Sequence, residues 1–580
     1  LKKLKHLILF STIFLFMLTA IIVFQHNNQK DSPYKDFLVI DVFDSLSNYQ
    51  GLQSGWFAKI VKDKFNMKLN IIAPNVTGGG NTLFEMRSAS GNLGDLIIST
   101  GDIKILQRLA SSGLILDMSD MLKNKDIMRY QHAIASLNNQ LLQKGIYAIP
   151  SEISNCSPTT SSEGADLDFG PYIRWDLYKS LGYPEMNTLE DILPILKKMQ
   201  EMNPRSDNGE PVYAFSFFPD WDNNMMNAAK QPCCMYGYDE VGFVLAKADG
   251  SDYQDILSDD SYYLRVLHLY FKANQLGLVD PKSRNQSFQE VYDKYADGAV
   301  LYSPWPWLGK GAFNNTKHSQ EGKGFLFAPI KDMKIYSHGC NPLGNQKMVI
   351  SIGSQAKDPK RLADFIDWLY SSEGIRTACA SASNDASGPE GLTWKKTENG
   401  PILTEFGKSA FFSKDALVPE KYGGGSWKNG ICALNYKPVS PVDCDDEGIP
   451  YHYSLWKSIR DMMNSPLDID WKNFMKADST YEYLKKNDQI LLAPGYIYQS
   501  SDTSSEIAAL RKQCSKIIVD YSWKMVFAKE EETYYQLLRE CKKIVNTLGY
   551  KKVVSFDIKA AKDLYKARID IVHNYKEVTK

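Results

Sequence analysis

Three short apolar runs, Phe37-Leu-Val-Ile-Asp-Val-Phe43, Leu69-Asn-Ile-Ile72 and Asp95-Leu-Ile-Ile98, are separated by stretches that read as helices, and this alternation limits the fold more than any other feature. An amphipathic segment near Ser54 to Phe65 lies between the first two. A glycine loop (Gly78, Gly79, Gly80) and a helix near Thr82 to Ser90 lie between the second and third. Strands of this length alternating with helices form βαβ units, and βαβ units build a parallel sheet. Ligands of such sheets gather at the carboxyl ends of the strands. Asn75, Ser99, Thr100 and Asp102 fall at those ends, and Asp95 opens the third strand. Gly78 to Thr82 has the form of an anion cradle at a helix N-terminus, although a tight turn explains the same glycines.

A chain of 580 residues exceeds one compact core and has room for about three or four domain-sized units, which two large lobes would satisfy. Lys and Arg number 67 against 68 Asp and Glu, so no net field attracts a polyanion and nucleic-acid binding is not expected. Lys2, Lys3, Lys5 and His6 precede an uncharged, mostly apolar run from Leu7 to Phe24. As a helix that run would be about 27 Å long, close to the hydrocarbon thickness of a bilayer. Positive charge before the run holds this end in the cytoplasm and puts the chain from Gln25 onward outside. Ala20 is the only small residue near its end and no Cys comes directly after it, so an uncleaved anchor is expected over a cleaved signal or a lipid attachment. The nine cysteines are an odd number for an exported chain. Cys432 and Cys444 are spaced to close a short loop, but spacing alone does not give the pairing.

Signatures of chemistry are sparse. C-x-x-C, H-E-x-x-H, G-x-S-x-G and G-x-x-x-x-G-K-[ST] do not occur, which removes the common zinc, redox, hydrolase and nucleotide motifs. Asp220-Trp-Asp222 sets two carboxylates at i and i+2, on one side of an extended chain, a pattern compatible with acid/base work on a glycosidic bond. Two acids beside a tryptophan serve equally well as acceptors for hydroxyl groups.

Aromatic residues make up 12% of the chain, and many stand outside the helical apolar stripes. Trp56, Trp175, Trp221, Trp305, Trp307, Trp394 and Trp427 mostly sit beside Gly, Pro, Asp or Asn, whereas Trp368 and Trp523 fit helical core patterns. In Leu301-Tyr-Ser-Pro-Trp-Pro-Trp-Leu308 three rings alternate with two prolines, which predicts a stiff loop with its rings held out. Rings presented from loops among Asp, Asn and Arg can stack on sugar faces while polar neighbours take the hydroxyls. Packing between domains is the competing use of such rings.

Asp95 to Ile98 after the second βα unit, Tyr147-Ala-Ile-Pro150, Pro171-Tyr-Ile-Arg-Trp-Asp-Leu-Tyr-Lys-Ser-Leu-Gly182 and Asp358-Pro-Lys-Arg-Leu-Ala-Asp-Phe-Ile-Asp-Trp-Leu-Tyr-Ser-Ser-Glu-Gly374 together resemble the family 1 extracellular solute-binding proteins. Gly391-Leu-Thr-Trp394 and Pro401-Ile-Leu-Thr-Glu-Phe406 add to the likeness, which runs from about residue 37 onward and is greatest to the long, lipoprotein-type oligosaccharide-binding branch of Gram-positive bacteria. The resemblance implies a two-lobed, periplasmic-binding-protein-like α/β fold of type II. A ligand cleft lies between lobes joined by hinge strands, which pass near Pro150 and again near Phe327 to Asn345. Members of the alginate-oligosaccharide type carry a calcium loop after the helix that begins here at Thr188. In Asn203-Pro-Arg-Ser-Asp-Asn-Gly209 an Arg205 stands where an acidic residue would help, so no metal and no other cofactor is expected.

The expected organisation is an anchor segment and tether start over 1–30, first-lobe residues 37–150 and 346–410, second-lobe residues 151–345, and a mainly helical part, 411–580, completing the second lobe. The expected function is capture of an oligosaccharide by a membrane-anchored extracellular monomer and its delivery to the permease subunits of an ABC importer, with no enzymatic step. A surface glycoside hydrolase or lyase and a non-transporting sugar sensor or scaffold are the alternatives. The candidate ligand residues are Trp56, Asn75, Asp95, Ser99, Thr100, Arg174, Trp175, Asp220, Trp221, Asp222, Trp305, Trp307, Trp394 and Trp427.

Overall fold

A computed structural model describes residues 32–77, 80–381, 384–412, 416–440, 442–462, 464–495 and 504–578. The basic and apolar N-terminal run and part of the glycine loop lie outside them. No helix of the described residues is long and apolar enough to cross a membrane.

The chain divides into two compact units. The first takes residues up to Ser151, Gln346–Lys395 and Leu403–Pro438; the second takes Glu152–Asn345, Lys396–Ile402 and Val439 onward. The return to the first unit thus extends to Pro438, beyond the boundary at residue 410 expected from the sequence. The reason is burial: Trp427 stacks on Trp56 with ring centroids 4.3 Å apart, and the Tyr436 hydroxyl donates to the carbonyl of Ile149 at 3.1 Å.

The first unit is built on the alternating pattern. Leu38–Asp44 runs parallel to Met67–Ile72 on one side and to Leu96–Ser99 on the other, in the register Val42 to Leu96. Asn345–Ile352 then adds antiparallel to Leu96–Ser99, with Val349 opposite Ser99. Every residue of Leu96–Ser99 is buried, as a strand covered on both faces requires. The helix Pro359–Leu369 starts at an Asp358 side chain that accepts from Arg361 N, and it buries Leu362, Phe365, Ile366 and Leu369 as their spacing predicts.

The second unit contains two antiparallel sheets and a large helical core. Tyr172–Arg174 lies between Tyr302–Ser303 and Phe325–Phe327, and Tyr238–Val241, Val244–Lys247 and Tyr253–Asp255 form a meander. The Thr188 capping box forms, with Asp191 as its acid, ahead of the helix Ile192–Met202. The part after residue 450 is mainly helical, ending in Ser505–Val526, Glu531–Thr547 and Tyr550–Val578. A strand, Ile490–Ala493, interrupts it and pairs parallel with Ile335–His338.

Candidate functional site

The loop Phe218 to Asp222 and the segments opening at Phe288 and Pro306 bring five rings together on the second unit. Ser287 caps the helix Phe288–Ala296 in a capping box with Glu290, which leaves Phe288 at the first helical position. The prolines of the tryptophan segment act as punctuation more than as a loop. Trp305 is extended at φ −130°, ψ 137°, as a residue before proline prefers, and Pro306 opens a helix that runs to Phe313. Trp307 therefore stands on the first turn of a helix. Trp221 stacks on Phe288 at 4.7 Å, meets Phe218 edge-on at 4.8 Å, and lies 6.0 Å from both Trp305 and Trp307.

Exposure divides these rings. Trp221 and Trp307 are each 43% exposed, whereas Trp305 is 8% exposed and forms the floor beneath them. Behind Trp305 is a cavity of about 30 Å³, also lined by Phe215, Phe217, Tyr270 and Tyr302. That is room for one or two waters and not for a sugar ring, so a ligand would rest on the outer faces. Residues of the same loop, Pro219, Asp222 and Asn223, line an open groove of about 430 Å³ with Arg284, Lys512, Ser515 and Lys516. Apolar faces and hydrogen-bonding groups therefore adjoin one loop.

The two acids of that loop hold structure. Asp220 accepts from Phe288 N at 2.8 Å, which ties the loop to the helix carrying the stacked ring. Asp222 accepts from Asn227 N at 2.8 Å and from the Trp523 indole at 2.6 Å. Burial, with the Asp220 charge adding, pushes the Asp222 carboxyl up to about 6 against these two hydrogen bonds. Asp222 thus accepts from two protein N–H groups and the exposed Asp220 from one, and both acids help to fix the loop.

Of the other candidates, Trp56, Trp175, Trp394 and Trp427 are buried, unlike the loop-presented rings that their sequence surroundings suggest. Trp56 is fully buried under Trp427, and its indole donates to the Trp427 carbonyl at 2.9 Å. Trp394 is buried with Arg376 over its ring, its indole donating to Gly388 O at 3.0 Å. Trp175, at the start of the helix Trp175–Ser180, donates to Asp470 at 2.9 Å, and Arg174 forms a two-pronged pair with Asp176. Asp95 joins neighbouring segments of the first unit, accepting from Asp41 N at 2.7 Å and Lys357 N at 2.9 Å. Ser99 is buried in the sheet, while the half-buried Thr100 accepts from Asp102 N at 3.3 Å, and Asp102 caps the helix Ile103–Ser111. Asn75 falls in the helix Pro74–Thr77, its side chain outside the described residues. Phe288 and Phe218, which complete the patch, do not stand out in the sequence. The only signal for Phe288 is an aromatic at the first position after a capping serine.

Two groups bear on metal binding. In the 203–209 loop Asp207 accepts from His318 at 2.8 Å and pairs with Lys317 at 3.1 Å; the His318 hydrogen bond holds its carboxyl below the usual range. Lys317 and, at 3.9 Å, Lys323 are the cations beside that carboxylate. Among the described residues, Glu163, Asp168 and His338 have donor atoms within 4.8 Å of one another. Burial first, and then the Asp168 charge, push the Glu163 carboxyl up to about 8. Two serines and the Asp168 amide hydrogen-bond to Glu163.

No family model and no curated protein matches the chain. Solved structures do match. The S. pneumoniae ABC-transporter substrate binding protein FusA in complex with kestose superposes with a TM-score of 0.57 at 13% identity, over 91% of this chain and 99% of that one. An HMO-binding solute binding protein associated with an ABC transporter, from Bifidobacterium longum infantis, gives 0.51 at 13% identity over 92% and 99%. The N-glycan transport solute binding protein NgtS from Streptococcus pneumoniae gives 0.50 at 15% identity over 91% and 99%. All three are binding proteins of transport. At these identities the likeness is one of fold, and the chain has the two-lobed α/β fold of the periplasmic-binding-protein type that its sequence resembles.

Proposed function

We propose that this protein is the extracellular substrate-binding component of an ABC importer, which captures an oligosaccharide and delivers it to permease subunits in the membrane without covalent chemistry. The exposed Trp221–Trp307 face, backed by Phe288 and Trp305, carries this reading. Large rings left open to water beside a polar groove suit a sugar, whose C–H faces stack on indoles while its hydroxyls take hydrogen bonds. Support comes also from fold relatives, one in complex with kestose, one described as HMO binding and one as a protein of N-glycan transport. The protein works as a monomer held at the outer face of the membrane by the apolar run Leu7 to Phe24. A glycoside hydrolase would need a free acid and base, and the use of Asp220 and Asp222 as acceptors for backbone and indole groups speaks against that pair.

A thermal-shift screen against an oligosaccharide library tests the reading. A ligand at 100 times its Kd adds about 2.7 kcal/mol of stability, a readily visible shift. A transition that moves only with amino acids or peptides overturns the carbohydrate assignment. Cleaved products in the incubation overturn the transport reading in favour of an enzyme.

A further inference from the structure

The second unit holds a pair of cysteines at the place where its chain leads to and from the first. Cys156 lies four residues after Glu152, where the second unit begins, and Cys340 lies five before Asn345, where the chain leaves it. Backbone hydrogen bonds hold the two segments side by side: Ser154 N donates to Asn341 O at 3.1 Å, Cys340 N to Thr160 O at 2.8 Å, and Ser162 N to His338 O at 2.9 Å. The segment that re-enters the second unit at Val439 joins the same place. Ile153 bridges Val439, and Asp443 accepts from the Ser154 hydroxyl at 2.6 Å and from Asn155 N at 2.8 Å. Within this junction Cys156 N donates to the Ser154 hydroxyl at 3.1 Å and the Cys340 thiol donates to Ser161 O at 3.7 Å, which leaves the two sulfurs beside Ser154 and close enough to interact with each other.

We propose that Cys156 and Cys340 are a redox pair that closes to a disulfide in oxidising surroundings and fastens together the second unit's ends of these connections. The asymmetry of the pair sets the order of events. Cys156 is half-exposed and Cys340 is buried. The interaction with Cys340 lowers the Cys156 thiol from its ordinary range, so Cys156 is the sulfur that reacts first with a disulfide in solution. Its thiolate attacks one sulfur of a low-molecular-weight disulfide, forming a mixed disulfide and expelling one thiolate. Cys340 then gives up its proton, and its sulfur attacks Cys156 Sγ and expels the second thiolate. Two protein thiols are oxidised to one disulfide, one external disulfide is reduced to two thiols, and the two protons pass from the cysteines to the departing thiolates. Asp443, which contacts Cys156, and Tyr575, whose hydroxyl donates to Asn155 O at 3.1 Å, border the site.

Peptide mapping of the full chain tests the pair. The protein is incubated with oxidised glutathione, free thiols are alkylated, and the chain is cut with trypsin without reduction. Cys156 and Cys340 fall in the tryptic peptides 145–174 and 335–347, each with a single cysteine. The expected product is the two peptides joined, lighter than their sum by two hydrogen atoms and separated by a reductant, with both singly alkylated peptides lost. In Cys156→Ser the Cys340 peptide should instead be recovered alkylated after denaturation. Recovery of both wild-type peptides alkylated, a glutathione that stays on Cys156, or linkage of either cysteine to a third would overturn the proposal.

Discussion

Trp56 with Trp427 in the first unit and Trp221 with Trp307 in the second are tryptophan pairs in similar sequence surroundings and opposite structural circumstances. Glycine flanks Trp56 (Gly55) and lies close to Trp427 (Gly430), as aspartate flanks Trp221 and proline flanks Trp307. In the first pair the glycines let the chains close in. Gly55 has φ +72°, and a Cβ on it would run into the backbone of Gly430, so the two indoles lie parallel at 4.3 Å with no open face. In the second pair the rings stand 6.0 Å apart at 44°, and each keeps a face in water. The composition around a ring thus marks a break in regular structure, while the partner that covers it decides between core and platform.

The largest expected effect tests the covered pair. Trp56→Ala should reduce folding stability by about 3 to 5 kcal/mol, the range for emptying a buried aromatic site. Urea denaturation measures it, and a loss below about 1 kcal/mol would make the two pairs alike. The exposed pair should respond in the other observable. Trp221→Ala and Trp307→Ala should each weaken oligosaccharide binding by about 1 to 3 kcal/mol, by analogy with bases stacked on aromatics, and change unliganded stability less. Trp305→Ala, under the patch, should act mainly on stability. Calorimetric affinity and unfolding measured together on the three variants check this. Unchanged affinity in Trp221→Ala and Trp307→Ala would end the platform assignment.

The sequence made the first unit legible because its elements are fixed by near neighbours. Period and length in Phe37–Phe43 predict the strand found at Leu38–Asp44, and Asp358-Pro-Lys-Arg predicts the capped start of Pro359–Leu369. The tryptophan segment is half legible. Its prolines exclude a continuous helix through Trp305, but the same chemistry makes Pro306 a good first helical residue, and the expected loop is in fact a helix start. Coverage of rings is not legible at all. The carbonyl that accepts from Trp56 is 371 residues away in sequence, and the Trp523 indole on Asp222 is 301 away. Local composition carries no information about partners at such distances.

A raised carboxyl beside the exposed aromatic patch could mark the patch or mark burial alone, and pH dependence separates the two. Asp222 beside the patch and Asp44 in the first unit are both pushed from 3.8 to about 6, in each case first by burial. In the folded state each holds its proton to higher pH than in the unfolded chain. Between pH 4 and 6 the folded protein binds more protons, so each group makes stability fall as pH rises, and the loss is complete above pH 6. Asp222→Asn and Asp44→Asn remove the titration. Stability of each variant relative to wild type should therefore climb from pH 4 to 6.5, with a slope of at most about 1.4 kcal/mol per pH unit for one proton, and then level off. Denaturant titrations across this range measure it. A climb in Asp222→Asn with none in Asp44→Asn would tie the raised carboxyl to the patch rather than to burial.

The smallest expected effect concerns the link that sets Trp221 in place. Asp220 is exposed, yet its carboxylate accepts from Phe288 N at the positive end of the helix Phe288–Ala296. The capping box of Ser287 and Glu290 satisfies other groups at the same end, so the helix does not depend on Asp220. Asp220→Ala should consequently reduce stability by about 0.5 to 1 kcal/mol, the lower part of the range for a lost cap. Its consequence for binding should be of the same order, because a looser loop lets Trp221 slide from Phe288 without removing either ring. Asp220→Asn, which keeps an acceptor oxygen, should recover most of both losses. If Asp220→Ala weakens binding as much as Trp221→Ala while Asp220→Asn fails to restore it, the carboxylate itself contacts the ligand, and the second unit's patch owes its function to charge as well as to exposed rings.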